Sequence, residues 1–173
     1  MSKLTHFDKS GNAVMVDVGD KESTRRFAVA GGYITVSDEV LDAVESGTAA
    51  KGDVLGVARV AAIMAAKRTA ELIPMCHPLA INSCTVEYNI NRPTNSIHIT
   101  CAVSITSKTG VEMEALTAVS VGLLTIYDMC KAIDKTMKIG GICLLEKKGG
   151  KSGHYEIPSG DCESPLEPNK HKC

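Results

Sequence analysis

Residues 83–107 read SCTVEYNINRPTNSIHITCAVSITS, a segment in which apolar and polar side chains alternate on either side of a polar centre at 92–95. In its second half every other position is apolar, namely Ile97, Ile99, Cys101, Val103 and Ile105. A period of two places such residues on one face of a β-strand. The segment therefore predicts a hairpin, with strands at Ser83–Asn91 and Ser96–Ser107 and a turn between them.

The segments around the hairpin predict two further strands and two long helices. They are a strand at 26–36, a short helix from Ser37 to about Gly47, a long helix capped by Asp53 and extending to about Leu72, a second long helix from Val111 to about Asp134, and a strand at 142–145 that follows Gly140 and Gly141. The core order β-α-β-β-α-β predicts an α+β, ferredoxin-like sandwich, with an antiparallel sheet that carries both long helices on one face.

Composition changes near both ends of the chain and divides it into three parts. Residues 1–13 form a polar amino-terminal arm, residues 14–157 contain every expected element, and residues 158–173 form a tail rich in Pro, Ser, Glu and Lys. A segment with so few apolar residues buries too little surface to hold one conformation. We therefore expect one ferredoxin-like domain at 14–157, followed by a flexible tail.

Both long helices are apolar over more than one face. The first carries Val54, Leu55, Val57, Val60, Ile63 and Met64, and the second carries Leu116, Val119, Val121, Leu123, Leu124 and Ile126. One face of a sheet cannot cover this much apolar surface. We expect an oligomer in which part of the helical surface meets a neighbouring subunit.

Charge and hydropathy argue against several classes of protein. The 173 residues include 19 basic and 20 acidic side chains, a formal net charge of −1 that argues against nucleic-acid binding. The amino terminus lacks the apolar run of a secretory signal, and we expect no later run to span a bilayer. Seven cysteines, mostly within apolar segments, predict reduced core thiols. A cytoplasmic protein without membrane contact is expected.

One group of polar side chains follows the first long helix, at Met75, Cys76 and His77. A histidine in this position can donate to a phosphate or carry a proton near neutral pH. Cys76 and His77 are both zinc-ligand types, but adjacent ligands are rare and the chain has no Cys-x-x-Cys. We expect no bound metal, and a His77 that is satisfied by loop backbone remains an alternative.

A second group, Glu112, Met113 and Glu114, begins the second long helix. Acidic residues in a first turn favour the helix dipole, which is a sufficient structural reason for them. Two positions correspond to about 200° around a helix, so the two carboxylates cannot both face solvent. We expect one of them to point inward, where it can meet the amino and ring nitrogens of a guanine-like group.

A third group lies near the end of that helix, where Asp128 and Lys131 are three positions apart and can form an ion pair. Their apolar neighbours favour a partly buried pair with altered ionisation. Lys51 precedes a helix amino terminus, a common place for phosphate. Because a lysine desolvated beside another cation loses basicity, Lys51, Lys131 and Asp128 are suited to acid–base catalysis without a metal or cofactor.

Further positive charge is available for an anionic ligand. Arg26 lies in the first expected strand and Lys67 near the end of the first long helix. For Lys67, a solvated surface charge is the alternative. The spacing of a Walker loop is absent around Lys51, which argues against ATP hydrolysis.

Five motifs follow one another along the chain. They are Lys-Gly-Asp-Val-Leu at 51–55, Met-Cys-His-Pro-Leu at 75–79, Gly-Val-Glu-Met-Glu-Ala-Leu-Thr-Ala at 110–118, Tyr-Asp-Met-Cys-Lys-Ala at 127–132 and Gly-Gly-Lys-Ser-Gly at 149–153. In this order they resemble the MoaC family, the cyclic pyranopterin monophosphate synthases. The resemblance covers about residues 5–156.

The resemblance implies a ferredoxin-like catalytic domain assembled as a homohexamer, a trimer of dimers, with active sites between subunits. It implies a lyase of molybdenum cofactor biosynthesis that converts (8S)-3',8-cyclo-7,8-dihydroguanosine 5'-triphosphate, a product of GTP, to cyclic pyranopterin monophosphate and pyrophosphate. By the same resemblance Asp128, Lys51 and Lys131 are catalytic. Substrate contacts are expected at Met75, Cys76, His77, Met113, Glu114, Glu112, Arg26, Lys67 and Lys147.

Two other functions are compatible with the residues. A non-catalytic ferredoxin-like sensor of nucleotides or pterins needs the same cations, but it has less use for a carboxylate placed against a lysine. A purely structural oligomer accounts for the apolar helices, but it leaves the polar groups at the helix ends without a purpose.

Overall fold

The polypeptide backbone forms one five-stranded sheet and four α-helices. The computed structural model describes residues 10–12, 14–15, 19, 22–150 and 153–158. Its elements are β1 (Thr24–Thr35), α1 (Asp38–Glu45), α2 (Val54–Lys67), α3 (Thr69–Leu72), β2 (Ser83–Asn91), a 3₁₀ turn (Arg92–Thr94), β3 (Ser96–Ser107), α4 (Glu112–Cys130), β4 (Lys138–Lys148) and β5 (Tyr155–Glu156). The hairpin strands therefore have the bounds that the alternation predicts.

The strand order in the sheet is β2-β3-β1-β4-β5, and every neighbouring pair is antiparallel. Without the two-residue strand β5, this is the order in which β-α-β-β-α-β chains arrange their strands. Helix α4 packs on β1, β3 and β4, while α2 packs on β2 and beside α4. The predicted ferredoxin-like sandwich is confirmed.

The apolar face of β3 forms one side of the hydrophobic core. Ile97, Ile99, Cys101, Val103 and Ile105 are at most 4% exposed. Above them lie Val119, Leu123 and Ile126 of α4, which are fully buried. Each large apolar side chain removed from water in this way stabilises the fold by about 1.5–3 kcal/mol.

Two glycines allow α4 to approach its neighbours closely. A Cβ atom on Gly32 of β1 would lie 3.0–3.1 Å from side-chain atoms of Val119, Leu123 and Ile142. A Cβ atom on Gly122 of α4 would lie 2.5 Å from Cδ1 of Ile99. The helix therefore rests directly on the backbone of the sheet, at a separation that larger residues would not permit.

The first long helix is shorter than the sequence predicts, because it is interrupted at Arg68. This residue leaves helical geometry, with φ −112° and ψ 15°. The hydroxyl of the buried Thr69 donates to the carbonyls of Ala65 and Ala66, at 3.2 and 3.1 Å. Such back-bonding competes with the helical hydrogen bonds of the main chain, so a separate short helix follows.

Helix α4 ends at Cys130, four residues before the expected end at Asp134. The Asp134 carboxylate accepts hydrogen bonds from the backbone N–H groups of Ser37 and Thr136, at 3.2 and 2.7 Å. These bonds hold the chain in a turn that leads into β4. The turn that follows the helix is thus held in part by a contact with a residue 97 positions away.

Strand β4 is longer than expected, and the pair Gly140–Gly141 lies inside it. Gly141 has φ +59°, and the register between β1 and β4 shifts between Gly31 and Tyr33. A glycine with positive φ is the usual residue at a β-bulge. The expectation that the glycine pair precedes the strand is therefore wrong, because the pair bends the strand without ending it.

One further expectation needs correction. Cys76, Cys84, Cys101 and Cys130 are free thiols, but Cys143 is disulfide-bonded, so the prediction of reduced thiols is wrong for it. Helix α4 is long and apolar enough to cross a membrane by length and composition alone, although it carries charged residues. Half of that apolar window is buried inside the protein. This is the position of a core helix.

The hairpin turn offers a direct test of the fold. Asn95 adopts left-handed backbone geometry (φ 47°, ψ 55°), and its carbonyl accepts from Val36 N–H at 2.8 Å. We expect Asn95→Val to lower the free energy of unfolding by about 1–2 kcal/mol, because a β-branched residue is strained in this region. Asn95→Gly, the matched control, should leave it nearly unchanged. Urea denaturation at one protein concentration measures both, and equal losses would contradict the strain argument.

Candidate active site

Three charged side chains meet near the carboxyl end of α4. Lys51, in the loop between α1 and α2, places its Nζ 2.7 Å from Oδ2 of Asp128 and donates to the Asp128 carbonyl at 2.9 Å. Lys131 Nζ lies 2.7 Å from the other carboxylate oxygen, Oδ1. The carboxylate therefore holds one ammonium group on each oxygen. We call this arrangement the lysine–aspartate–lysine triad.

The triad is open to solvent, so the expectation of a partly buried pair is wrong. The side chains of Lys51, Lys131 and Asp128 are 47%, 53% and 56% exposed. The apolar neighbours Met129 and Cys130 point into the core from the other side of the helix, where they are at most 7% exposed. Apolar sequence neighbours thus bury one face of the last turn and leave the polar face available to a ligand.

The ionisation of the triad is nevertheless altered, through charge rather than burial. Hydrogen bonds from Lys131 and then Lys51 lower the pKa of Asp128 to about 2. The same contact with Asp128 raises the pKa of Lys131. The expectation that a lysine beside another cation loses basicity is therefore wrong for Lys131, because the carboxylate between the two ammonium groups outweighs their repulsion.

A second group of expected site residues surrounds the amino end of α4. Glu114 is only 4% exposed, which confirms that one of the two carboxylates turns inward. Burial is the main cause that raises its pKa, and the nearby Glu112 adds to the effect. Burial and the charge of Glu114 also raise the pKa of Cys76, so the half-buried segment 75–77 lies close to this end of the helix.

Glu112, the other carboxylate, forms an ion pair with Lys147 of β4 at 3.0 Å. Both side chains are mostly buried, at 30% and 23% exposed. Arg26 of β1 donates through Nε to the Ser107 carbonyl and through Nη2 to the Lys108 carbonyl, each at 3.0 Å. These bonds tie its guanidinium to the loop that leads into α4. We call Glu112, Glu114, Cys76, Lys147 and Arg26 the amino-end cluster.

The turn after β4 packs against this cluster, and sequence reasoning had assigned it no role. Gly149 and Gly150 have φ +97° and +75°. A Cβ atom on Gly150 would collide with the guanidinium of Arg26. The paired glycines in the sequence were the available signal, since positive φ and close approach are the two properties that demand glycine.

The remaining expected contacts occupy less constrained positions. Met113 is 38% exposed beside Glu114, and Met75 and His77 are half-buried. Lys67, the exposed last residue of α2, lies near Cys84 of β2 and lowers the pKa of that thiol, after the larger effect of a hydrogen bond with Cys101. Among the described residues, no three His, Cys, Asp or Glu side chains converge as a metal site would require.

The triad and the amino-end cluster stand at opposite ends of one helix. Glu112 and Asp128 are 16 positions apart in α4, which at about 1.5 Å per residue separates them by about 24 Å along the axis. A nucleotide-sized ligand cannot contact both groups on one chain. Within a single subunit the structure thus forms two separate groups of candidate site residues, which we call the half-sites.

The sheet, the two packed helices and the lysine–aspartate–lysine triad define a ferredoxin-like α+β protein with charged sites suited to an anionic ligand and proton transfer. The sequence model of the MoaC family matches residues 15–150. The chain is 60% identical to a cyclic pyranopterin monophosphate synthase of Clostridium botulinum (strain Alaska E43 / Type E3) over 154 residues. The aligned region covers 89% of this chain and 97% of that relative. A relative with the same name from Clostridium perfringens (strain 13 / Type A) is 56% identical over 156 residues, 90% of this chain and 99% of its own length. The chain belongs to the MoaC family.

The ion pairs of the triad can be tested by titration of the Asp128 carboxyl. We expect the Asp128 carboxyl to titrate near pH 2 in the parent, as its lowered pKa requires. Its pKa should rise in both Lys131→Ala and Lys51→Ala, and further in the former, because the Lys131 hydrogen bond is the larger cause. Carboxyl chemical shifts followed by NMR measure this.

Lys135→Ala is the matched control, since it removes a nearby exposed lysine whose side chain is not part of the triad. It should leave the Asp128 titration in place. An Asp128 carboxyl that titrates near its ordinary pKa in the parent would contradict the triad geometry.

Proposed function

We propose that this protein is a cyclic pyranopterin monophosphate synthase of molybdenum cofactor biosynthesis. It converts (8S)-3',8-cyclo-7,8-dihydroguanosine 5'-triphosphate to cyclic pyranopterin monophosphate with release of pyrophosphate. The lysine–aspartate–lysine triad is the observation that carries this proposal, because both Nζ atoms lie 2.7 Å from one carboxylate on an open surface. The curated relatives, which are named as this synthase, support it.

A non-catalytic sensor is not favoured. The relatives that cover 89–90% of the chain are named as synthases. A sensor would also retain phosphate-binding cations, but it has no need for a carboxylate that orients two of them.

The triad supplies charge and a proton for the reaction. Two ammonium groups and one carboxylate carry a net charge of +1, which favours binding of a triphosphate and stabilises the charge that develops on departing pyrophosphate. The contact with Asp128 keeps the Lys131 ammonium group protonated and weakens it as an acid. We assign Lys131 the role of proton donor once the substrate displaces that contact. Asp128 orients both lysines, and Lys51 is the second catalytic ammonium group.

The amino-end cluster supplies recognition of the guanine-derived ring. The buried Glu114 carboxylate can accept hydrogen bonds from amino and ring N–H groups, which are donors in a guanine-like ring. Cys76 lies close enough to Glu114 for that charge to affect its thiol. We assign Cys76, its chain neighbours Met75 and His77, and Met113 of α4 to the remaining substrate contacts. The cations of Lys147, Arg26 and Lys67, together with the Glu112 carboxylate that pairs with Lys147, complete the polar contacts to the substrate.

The separation of about 24 Å between the two half-sites supports an active site built from two subunits. The outer surfaces of α2 and α4 also expose apolar side chains that a neighbouring subunit can cover. These are Val57, Val60, Met64 and Leu124, between 47% and 58% exposed. The proposed assembly is a homohexamer, a trimer of dimers, that works in the cytoplasm, where GTP is available.

Turnover of the defined substrate tests the function. The purified protein is given the cyclised dihydro-GTP, and pyrophosphate and cyclic pyranopterin are followed. Lys51→Ala and Lys131→Ala should bind substrate but lose at least about 10²-fold in kcat, as expected for removal of a proton-transfer group. Lys135→Ala, at matched oligomeric state, should retain parental turnover. A parent that binds substrate without forming product would identify a sensor.

Mixed oligomers test the shared active site. Lys131→Ala and Glu114→Gln are coexpressed with different tags, and the mixed assemblies are isolated. If each site takes its triad from one subunit and its amino-end cluster from another, random mixing leaves about one quarter of the sites intact, and activity should return to that level. Two inactive variants whose mixed assemblies stay inactive would show that the half-sites do not combine across an interface.

A further inference from the structure

A pair of thiols lies outside both half-sites. Sγ of Cys84, on β2, is 3.6 Å from Sγ of Cys101, on β3. Cys101 is fully buried beneath the helices, whereas Cys84 is half-buried. The Cys84 thiol is therefore within reach of a small solute, whereas the Cys101 thiol contacts the Cys84 thiol from within the core.

We propose that Cys84 and Cys101 form an oxidative modification site, in which a peroxide oxidises Cys84 and Cys101 then closes an intrachain disulfide. This proposal does not rest on the proposed synthase function, although the site shares Lys67 with the proposed substrate contacts. In the first step the Cys84 thiolate attacks the peroxide, so that an S–O bond forms, the O–O bond breaks and hydroxide leaves. In the second step Cys101 sulfur attacks the sulfenic sulfur, and the departing hydroxide takes the Cys101 proton. Two thiols lose two electrons, and hydrogen peroxide becomes two waters.

The surroundings of each sulfur indicate which thiol reacts with the peroxide and which one then closes the disulfide. A hydrogen bond from Cys101 is the largest cause that lowers the pKa of Cys84, and the Lys67 ammonium group lowers it further. The same hydrogen bond and burial raise the pKa of Cys101. Since the thiolate is the reactive form, Cys84 attacks first and Cys101, whose sulfur lies 3.6 Å away, is the resolving thiol.

The position of β2 in the sheet allows the disulfide to close. Cys84 pairs with Val103 and Cys101 with Val86, so the two cysteines are diagonal neighbours, whose Cα atoms are typically about 7–8 Å apart. That exceeds the usual span of a disulfide, about 4.4–6.8 Å. Among the described residues β2 is the last strand of the sheet and pairs on one side, with β3, so a shift of this edge strand would close the gap. A disulfide formed under such strain is readily reduced, which makes the modification reversible.

The experiment uses the full chain, reduced with dithiothreitol, freed of reductant and treated with hydrogen peroxide under native conditions. Remaining thiols are alkylated, and peptides are assigned by mass spectrometry. We expect a Cys84–Cys101 linked peptide, lighter by two hydrogens, before any oxidation of Cys76, the matched half-buried single thiol whose pKa is raised. Cys84 and Cys101 that remain alkylatable while Cys76 oxidises would overturn the proposal.

Variants separate the two steps. With Cys101→Ala, Cys84 should stop as a sulfenic acid that dimedone captures, and with Cys84→Ala, Cys101 should stay reduced. Lys67→Ala should slow the first step by about threefold or more, because loss of the ammonium group lowers the fraction of Cys84 present as thiolate. Arg68→Ala, which removes the adjacent exposed cation, should not. Circular dichroism verifies that each variant is folded, and dimedone capture at Cys101 in the Cys84→Ala protein would reverse the assigned roles.

Discussion

The packing of α4 on the sheet is the constraint on which the rest of the molecule depends. The helix lies across β1 and β3 at a separation that Gly32 and Gly122 permit, and Val119, Leu123 and Ile126 are completely removed from water. An apolar helix in such close contact cannot rotate or slide without opening cavities in the core. Its two ends are therefore fixed relative to the strands, and both half-sites are built on those ends.

The electrostatics of α4 are different at its two ends. Glu112 and Glu114 stand at the amino end, where the helix dipole favours negative charge. Asp128 stands in the last turn, where the dipole disfavours it. The ammonium groups of Lys51 and Lys131 offset this cost and lower the pKa of Asp128. The triad is thus the compensation that a carboxylate in this position requires, and the same arrangement leaves two cations on an open surface.

The two half-sites also differ in the way they change ionisation. At the amino end, burial raises the pKa of Glu114 and of Cys76. At the carboxyl end, the triad is about half exposed, and direct ion pairs alter the pKa values instead. The two environments suit the roles that we propose for them, because a buried carboxylate can recognise an uncharged ring and accessible cations can bind a polyphosphate.

The sequence by itself determined the features that depend on local periodicity and spacing. The alternation at 83–107 predicted the bounds of β2 and β3, and the order of elements predicted the ferredoxin-like sandwich. Helical spacing placed Lys131 beside Asp128 and indicated that one of Glu112 and Glu114 turns inward. Tertiary structure alone decided the features that arise between distant residues. Lys51 meets Asp128 across 77 positions, Asp134 accepts a hydrogen bond from Ser37 in the turn after α4, and the exposure of the triad follows from which side of α4 faces the core. Local sequence patterns cannot predict these contacts, because they depend on how the elements pack and not on the spacing within any one of them.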